Sequence, residues 1–442
     1  MHRRNMRPQD MRTLCIRLAA GAAILIVAAW ALAERLEDTF FIPPDHPAIQ
    51  YAQRPPGDPV ALLDQRLRRD QVKFGAAPNG LGYLPSVLKE LGVNADSQVL
   101  VFSKTSIQAE KIGPRTPRAI YFNDDVSVGF VRNSDLLELT ALDPAQGVKF
   151  YVLANSSPPT FARSDDCLRC HQGAVTLGVP GLLVSSIHPD SGEPHAPHGG
   201  AFMTDQRTPF NQRWGGWYVT GTHGPQVHQG NNVNLVDPIH PGGPSTEETQ
   251  NVTSLAGRFD TARYLAPTSD IVALMTLEHQ TRMTNLMIRI GWDARIALHD
   301  HKLRDQKTDT AAQALIDSEI GQIVTYMLFA DEEPLAAPVK GVSTFTRTFP
   351  ERGPRDSQGR GLRDFDLKTR LFRYPLSYMI YSAAFDGMPR IVRERVYRRL
   401  YDVLTGQDRS QAFARRSVED RTAILEIVRE TKRNLPAYWT AR

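Results

Sequence analysis

Cys167-Leu168-Arg169-Cys170-His171 is the one run in this sequence where two thiols and an imidazole stand at a spacing that does chemistry. C-x-x-C-H fits covalent haem attachment, in which both thiols add to the haem vinyl groups and the adjacent imidazole ligates iron from one face. Two other chemistries use the same residue types. A thioredoxin-type dithiol opens a helix after a buried strand, whereas FARSDD precedes this pair and the Gly-containing HQGAVTLGVPG follows it. A zinc site of the usual kind wants a second cysteine pair, and the sequence has only Cys15 besides these two. The expectation is one covalent haem c, with Cys167 and Cys170 as attachment points and His171 as the proximal iron ligand.

The other face of the iron separates a carrier from a catalyst, because a second strong ligand closes it and an open face admits small molecules. His279 and His223 are the leading distal candidates. His279 shares one stripe of a helical run with Met275, Met283 and Leu286, where an imidazole is either a satisfied core residue or part of a haem wall. His223 follows a strand-like segment among Gly221, Gly224 and Gly230, which would let backbone approach a flat cofactor; the alternative is a surface loop. His228 and Met203 come next, and His188, His195 and His198 fall in a loop-like stretch. Arg347, Arg352, Arg355, Arg360 and Arg363 could pair with haem propionates, or with the acidic residues interspersed among them. Trp214, Trp217 and Tyr218 could wall a haem or fill a core.

These residues need a scaffold, and the chain offers an α+β one. Residues 40–59 carry six prolines within an extended arm spanning 34–60. An α/β region with the haem attachment covers 61–268, with helices at LLDQRL and LPSVLKELG and strands at 98–103, 118–122, 126–131, 148–154, 182–187 and 216–220. From 269 to 442 the period is mainly helical, at 270–299, 310–330, 367–386, 389–404 and 418–432, and Ser417 reads as the cap of the last. The layout is a mixed α/β front half, a loop-rich middle and a helical back half.

Residues 1–33 begin with Arg3, Arg4, Arg7, Arg12 and Arg17, continue through an apolar run at 18–33, and close with Ala31-Leu32-Ala33. That is the form of a cleavable signal peptide, and residues 16–33 could alternatively stay as an N-terminal membrane anchor. Either way the expected location is periplasmic or extracytoplasmic. The same five arginines, against Asp10, account for the whole formal net charge of +4, so the remaining chain is neutral. No general field calls for a nucleic-acid partner.

More than 130 residues separate Ala33 from the motif, so the domain is not a small class I cytochrome c fold. Over nearly its whole length after residue 33 the chain resembles a family of uncharacterised bacterial secreted proteins with a single cytochrome-c-type haem-binding site. The stretches that carry the resemblance are KIGPRTPRAIYFNDDVSVGFV, RWGGWYVTGTHG, SDIVALMTLEHQ and GLRDFDLKTRLFRYPLSYMIYS. It implies haem and export, and no particular reaction. The expected function is that of an exported c-type haem protein in redox chemistry or electron transfer, with a redox partner protein or a small-molecule substrate. The alternative is a haem-based binding or sensing module without turnover.

Overall fold

A computed structural model describes residues 42–154, 158–187, 201–233, 247–300, 310–414 and 416–440. The signal-or-anchor segment and the loop holding His188, His195 and His198 lie outside the described residues. No helix among them is long and apolar enough to cross a membrane. Residues 44–442 form one compact unit.

The chain is α+β. Helix α1 (Pro59–Arg68) starts where Asp58 accepts hydrogen bonds from the Val60 and Ala61 amides at 2.9 and 3.0 Å, with Pro59 in the first turn. Helix α2 (Leu84–Glu90) presents Leu84, Val87 and Leu88 to the core. Seven strands then build an antiparallel sheet: β1 (Val99–Val101), β2 (Arg118–Phe122), β3 (Val126–Phe130), β4 (Leu136–Asp143), β5 (Gly147–Ala154), β6 (Phe161–Arg163) and, after a small β7–β8 hairpin (Ser185–Ile187 and Ala201–Met203), β9 (Trp217–Tyr218). The order is β6-β5-β4-β3-β2-β1-β9, a meander with β9 added beside β1.

The sheet's two faces differ. On one, Ala119, Tyr121, Val128, Leu137, Leu139, Tyr151 and Leu153 are buried against α1 and α2 in a single core. On the other, Ile120, Ser127, Glu138, Thr140 and Val152 are only half-buried. Helix α4 (Ile271–His299) covers the hairpin end of that second face, where its Gln280 and Thr284 share a small cavity with Ser127, Thr140 and Val148. Before it comes α3 (Leu168–His171), a single turn. Asp270 caps α4 by accepting from Val272 N at 2.9 Å, and it also holds the Val342 and Ser343 amides at 2.8 Å. The remaining helices are α5 (Thr310–Met327), α6 (Phe345–Glu351), α7 (Ala383–Gly387), α8 (Arg390–Leu404), α9 (Val418–Thr431), capped by Ser417 through the Asp420 amide, and α10 (Ala437–Thr440).

Two expectations fail here. Residues 367–386 are not one helix: Phe365 bridges Phe372, the chain turns through Pro375, and only a 3-10 turn and the short α7 are helical. Proline lacks the N–H and clashes with the preceding turn, which overrides the apolar spacing around it. The long strand β4, which pairs along its whole length with β5, was not anticipated from sequence. Its LLELTALD is rich in helix formers, although Leu137, Leu139 and Ala141 alternate with Glu138 and Thr140 as a strand requires.

Candidate functional site

The C-x-x-C-H run occupies a 3-10 turn (Asp165–Cys167) followed directly by α3. Helical spacing of i, i+3 and i+4 places Cys167, Cys170 and His171 on one side of that turn. Cys167 is half-buried, Cys170 exposed, and both are free thiols. The segment rests on the half-covered face of the sheet. The His171 ring packs on Phe150 with centroids 4.8 Å apart, and Cys167 and His171 both sense the charges of Arg118 and Glu138 from that face. Arg118 and Glu138 pair at 2.9 Å, the guanidinium lying over Gly129, where a Cβ would stand 2.9 Å from Arg118 Nε.

His171 is held from behind. Its Nδ1 lies 2.9 Å from Gly181 O, and since a carbonyl only accepts, Nδ1 carries the proton and donates. The Gly181 amide returns a bond to His171 O at 2.8 Å, so the two residues clasp each other across a ten-residue loop. That loop is braced by Thr176, whose hydroxyl reaches Val179 O at 2.8 Å, and by Arg289, which reaches Leu177 O at 2.9 Å. Asn285 on α4 fixes its end: Oδ1 accepts from Leu182 N at 2.9 Å and Nδ2 donates to Leu182 O at 2.7 Å. A Cβ on Gly181 would stand 2.4 Å from Asn285 Oδ1, so glycine is required for this approach. With Nδ1 protonated, the lone pair sits on Nε2, the atom that can ligate a metal.

This geometry bears on the competing chemistries. A strand, β6, does precede the motif, which corrects the loop reading of FARSDD; it is a short edge strand with Ala162 exposed. A dithiol of thioredoxin type needs a thiol acidified by a helix N-terminus or a cation, whereas burial pushes the Cys167 thiol up and α3 is only one turn long. The ligand atoms of Cys167, Cys170 and His171 do not converge as a metal-binding set. Among the described residues the set that does is His46, His299 and Asp300. Two free thiols and an imidazole whose lone pair sits on Nε2 thus share one turn beside a half-covered sheet face.

The distal candidates take other roles. His279 is fully buried, with Nδ1 2.5 Å from Gln206 Oε1 and Nε2 2.7 Å from Ser377 Oγ. Its ring stacks on Tyr326 and Phe329, and burial pulls its pKa down to about 3. It is a satisfied core histidine. Its neighbour Glu278 points elsewhere, to Arg213 at 3.2 Å. His223 accepts from the Asn251 amide at Nε2, at 3.0 Å, while its buried Nδ1 has no hydrogen-bond partner among the described residues. Neither ring's named neighbours include a residue of the Ser164–Leu182 segment. The glycines near His223 serve packing: a Cβ on Gly221 would stand 2.4 Å from Ile271 Cγ2, and one on Gly230 2.4 Å from Val219 Cγ2. His228 is buried against Trp214 and His223, and Met203 is half-buried in β8 opposite Ser185.

The arginine loop also has its own partners. Arg347 pairs with Glu351, Arg352 with Asp96, Arg355 with Asp364, Arg360 with Asp356 and Glu426, and Arg363 with Asp124. Trp214, Trp217 and Tyr218 are buried, as core aromatics are. Sequence reasoning missed Gly181 and Asn285. The available signal was an amide side chain on the apolar helix of His279, since a buried Asn must find partners. Compared with protein-family models, curated proteins and solved structures, the chain matches none.

Proposed function

We propose that this chain is an exported c-type haem protein that binds one haem covalently through Cys167 and Cys170, with His171 as the axial iron ligand, and acts in redox chemistry or electron transfer. The observation that carries the reading is the His171–Gly181 bond, joined to two free thiols on the same helical turn. A backbone carbonyl on Nδ1 fixes the imidazole tautomer and leaves Nε2 unprotonated, which is what an iron ligand requires. When bound, haem supplies a one-electron couple. The chain's own part is to orient: Phe150 supports one side of the His171 ring, Gly181 O accepts its Nδ1 proton, and Asn285 holds the adjoining Leu182 backbone. The Arg-rich, apolar N-terminal segment supports export. Partners follow from the class, as a redox protein or a small-molecule substrate.

The test is production of the full chain in a host with cytochrome c maturation. Haem staining on a denaturing gel and intact mass should report one covalently bound haem per chain, and a chain without any refutes the proposal.

Asn285 should matter as a positioning residue. Asn285→Ala removes both bonds to the Leu182 backbone and so loosens the segment that carries the Gly181 carbonyl. The loss should be about 2–3 kcal/mol of stability, from two backbone groups left short of partners. A weaker Nδ1–H···O bond makes His171 less electron-donating, so the haem potential should rise, on the order of tens of millivolts. A variant that keeps covalent haem and the parent potential would leave Asn285 a structural residue only.

A further inference from the structure

A pocket of about 360 Å³ opens between α4 and α5, lined by Arg207, Arg282, Ser318, Gln322, Thr325 and Asp331 among others. That is room for about a dozen waters and falls within the usual size of small-molecule sites. Its two cations are not equivalent. Arg207 is covered by Asp205, with bonds of 3.0 and 2.7 Å from Nε and Nη2, and stands 3.9 Å from Asp331. Arg282 has no carboxylate within 4.0 Å and no hydrogen-bond acceptor among the described residues, and its Nε is buried without a partner. Burial and the nearby Arg207 pull its pKa down, against a smaller opposite effect of Asp205. A partly desolvated guanidinium without an acceptor, next to another guanidinium, is costly unless an anion completes it.

Helix α5 supplies an independent observation. Ser318, Gly321, Gln322 and Thr325 stand at i, i+3, i+4 and i+7, so one face of the helix offers two hydroxyls and an amide to the pocket. Glycine inside a helix is unfavourable relative to alanine. Here no neighbouring atom lies within 4 Å of where a Cβ on Gly321 would stand, so packing does not require it. Its effect is to keep the pocket wall low.

We infer that this pocket binds a small organic monocarboxylate, with Arg282 as its counter-ion and the polar face of α5 against the rest of the molecule. The planar guanidinium fork of Arg282 matches a carboxylate, and a single negative charge meets the least repulsion from Asp205 and Asp331. A dianion such as phosphate would meet Asp205 and Asp331 close by. The inference does not rest on the haem reading.

The test is isothermal titration calorimetry on the full chain as produced, with acetate, lactate and benzoate as probes and inorganic phosphate as the contrasting anion. At least one monocarboxylate should bind saturably with a Kd below about 1 mM, as a charge-assisted bidentate contact in a sheltered site allows. Arg282→Gln should weaken that binding about 10- to 100-fold, and Gly321→Val should weaken it by narrowing the pocket beside Ser318 and Thr325. Both variants should keep the parent circular dichroism. Several results overturn the proposal: no saturable binding of any monocarboxylate up to about 10 mM, a preference for phosphate, or affinities unmoved by either substitution. So does binding confined to chain without haem, because the pocket would then belong to a haem propionate.

Discussion

Chain in which Cys167 and Cys170 are both replaced by Ala should carry no covalent haem, while its fold and thermal stability stay close to the parent's. The first half follows from the chemistry: each thiol supplies one sulfur for one thioether, and no other cysteine lies in the chain after residue 33. The second half follows from where the thiols stand. Cys170 is exposed, Cys167 half-buried, and neither is in a disulfide. Their removal opens no core cavity, so the haem-free double variant should lie within about 0.5 kcal/mol of haem-free parent, the usual range for surface changes. Single variants should keep one thioether and a weakened but visible haem stain. The experiment also separates the rival chemistries. A dithiol function would survive haem-free production and would show a Cys167 thiol more acidic than a free one, against the direction that burial imposes. Covalent haem in the double variant would end the assignment.

That contrast rests on a division between what was legible in the sequence and what was not. The local geometry of the C-x-x-C-H run was legible, because a short helical turn puts residues at i, i+3 and i+4 on one side. So were the helices at 271–299, 310–327, 390–404 and 418–431, whose apolar period runs uninterrupted, and the β2–β3 hairpin around Asn123-Asp124-Asp125. Less legible were elements whose identity depends on partners far away. Strand β4 is made of helix formers and becomes a strand because β3 and β5 flank it on both edges. The clasp on His171 joins residue 171 to 181 and then to 285. No local pattern announces that Gly181 must be bare of a side chain for an asparagine a hundred residues later. Tertiary partners also decided the arginine loop, where each guanidinium finds a carboxylate, including Asp96, Asp124 and Glu426 from distant segments.

The same limit had most consequence for the histidines on the distal side. Periodicity put His279 on a buried stripe and correctly required it to have a partner. It could not say which. Gln206 Nε2 donates to Tyr326 O at 3.0 Å, so Gln206 Oε1 is left to accept, and His279 Nδ1 must hold the proton. The Nε2 lone pair then receives the Ser377 hydroxyl. His171 and His279 thus share a tautomer, but only His171 has an Nε2 without a protein partner among the described residues. His279→Ala should therefore act on stability and not on the iron. It removes a ring stacked on Tyr326 and Phe329, leaves a cavity, and strands Gln206 Oε1 in the interior. The cost should be about 3–5 kcal/mol, which for a unit of this size lowers Tm by about 5 °C. The Soret band and haem potential of the folded fraction should match the parent. A change from low-spin to high-spin iron in His279→Ala, with covalent haem retained, would instead put the imidazole on the metal and overturn the core assignment. Reduced stability with an unchanged spectrum is the result that the hydrogen bonds to Gln206 and Ser377 require.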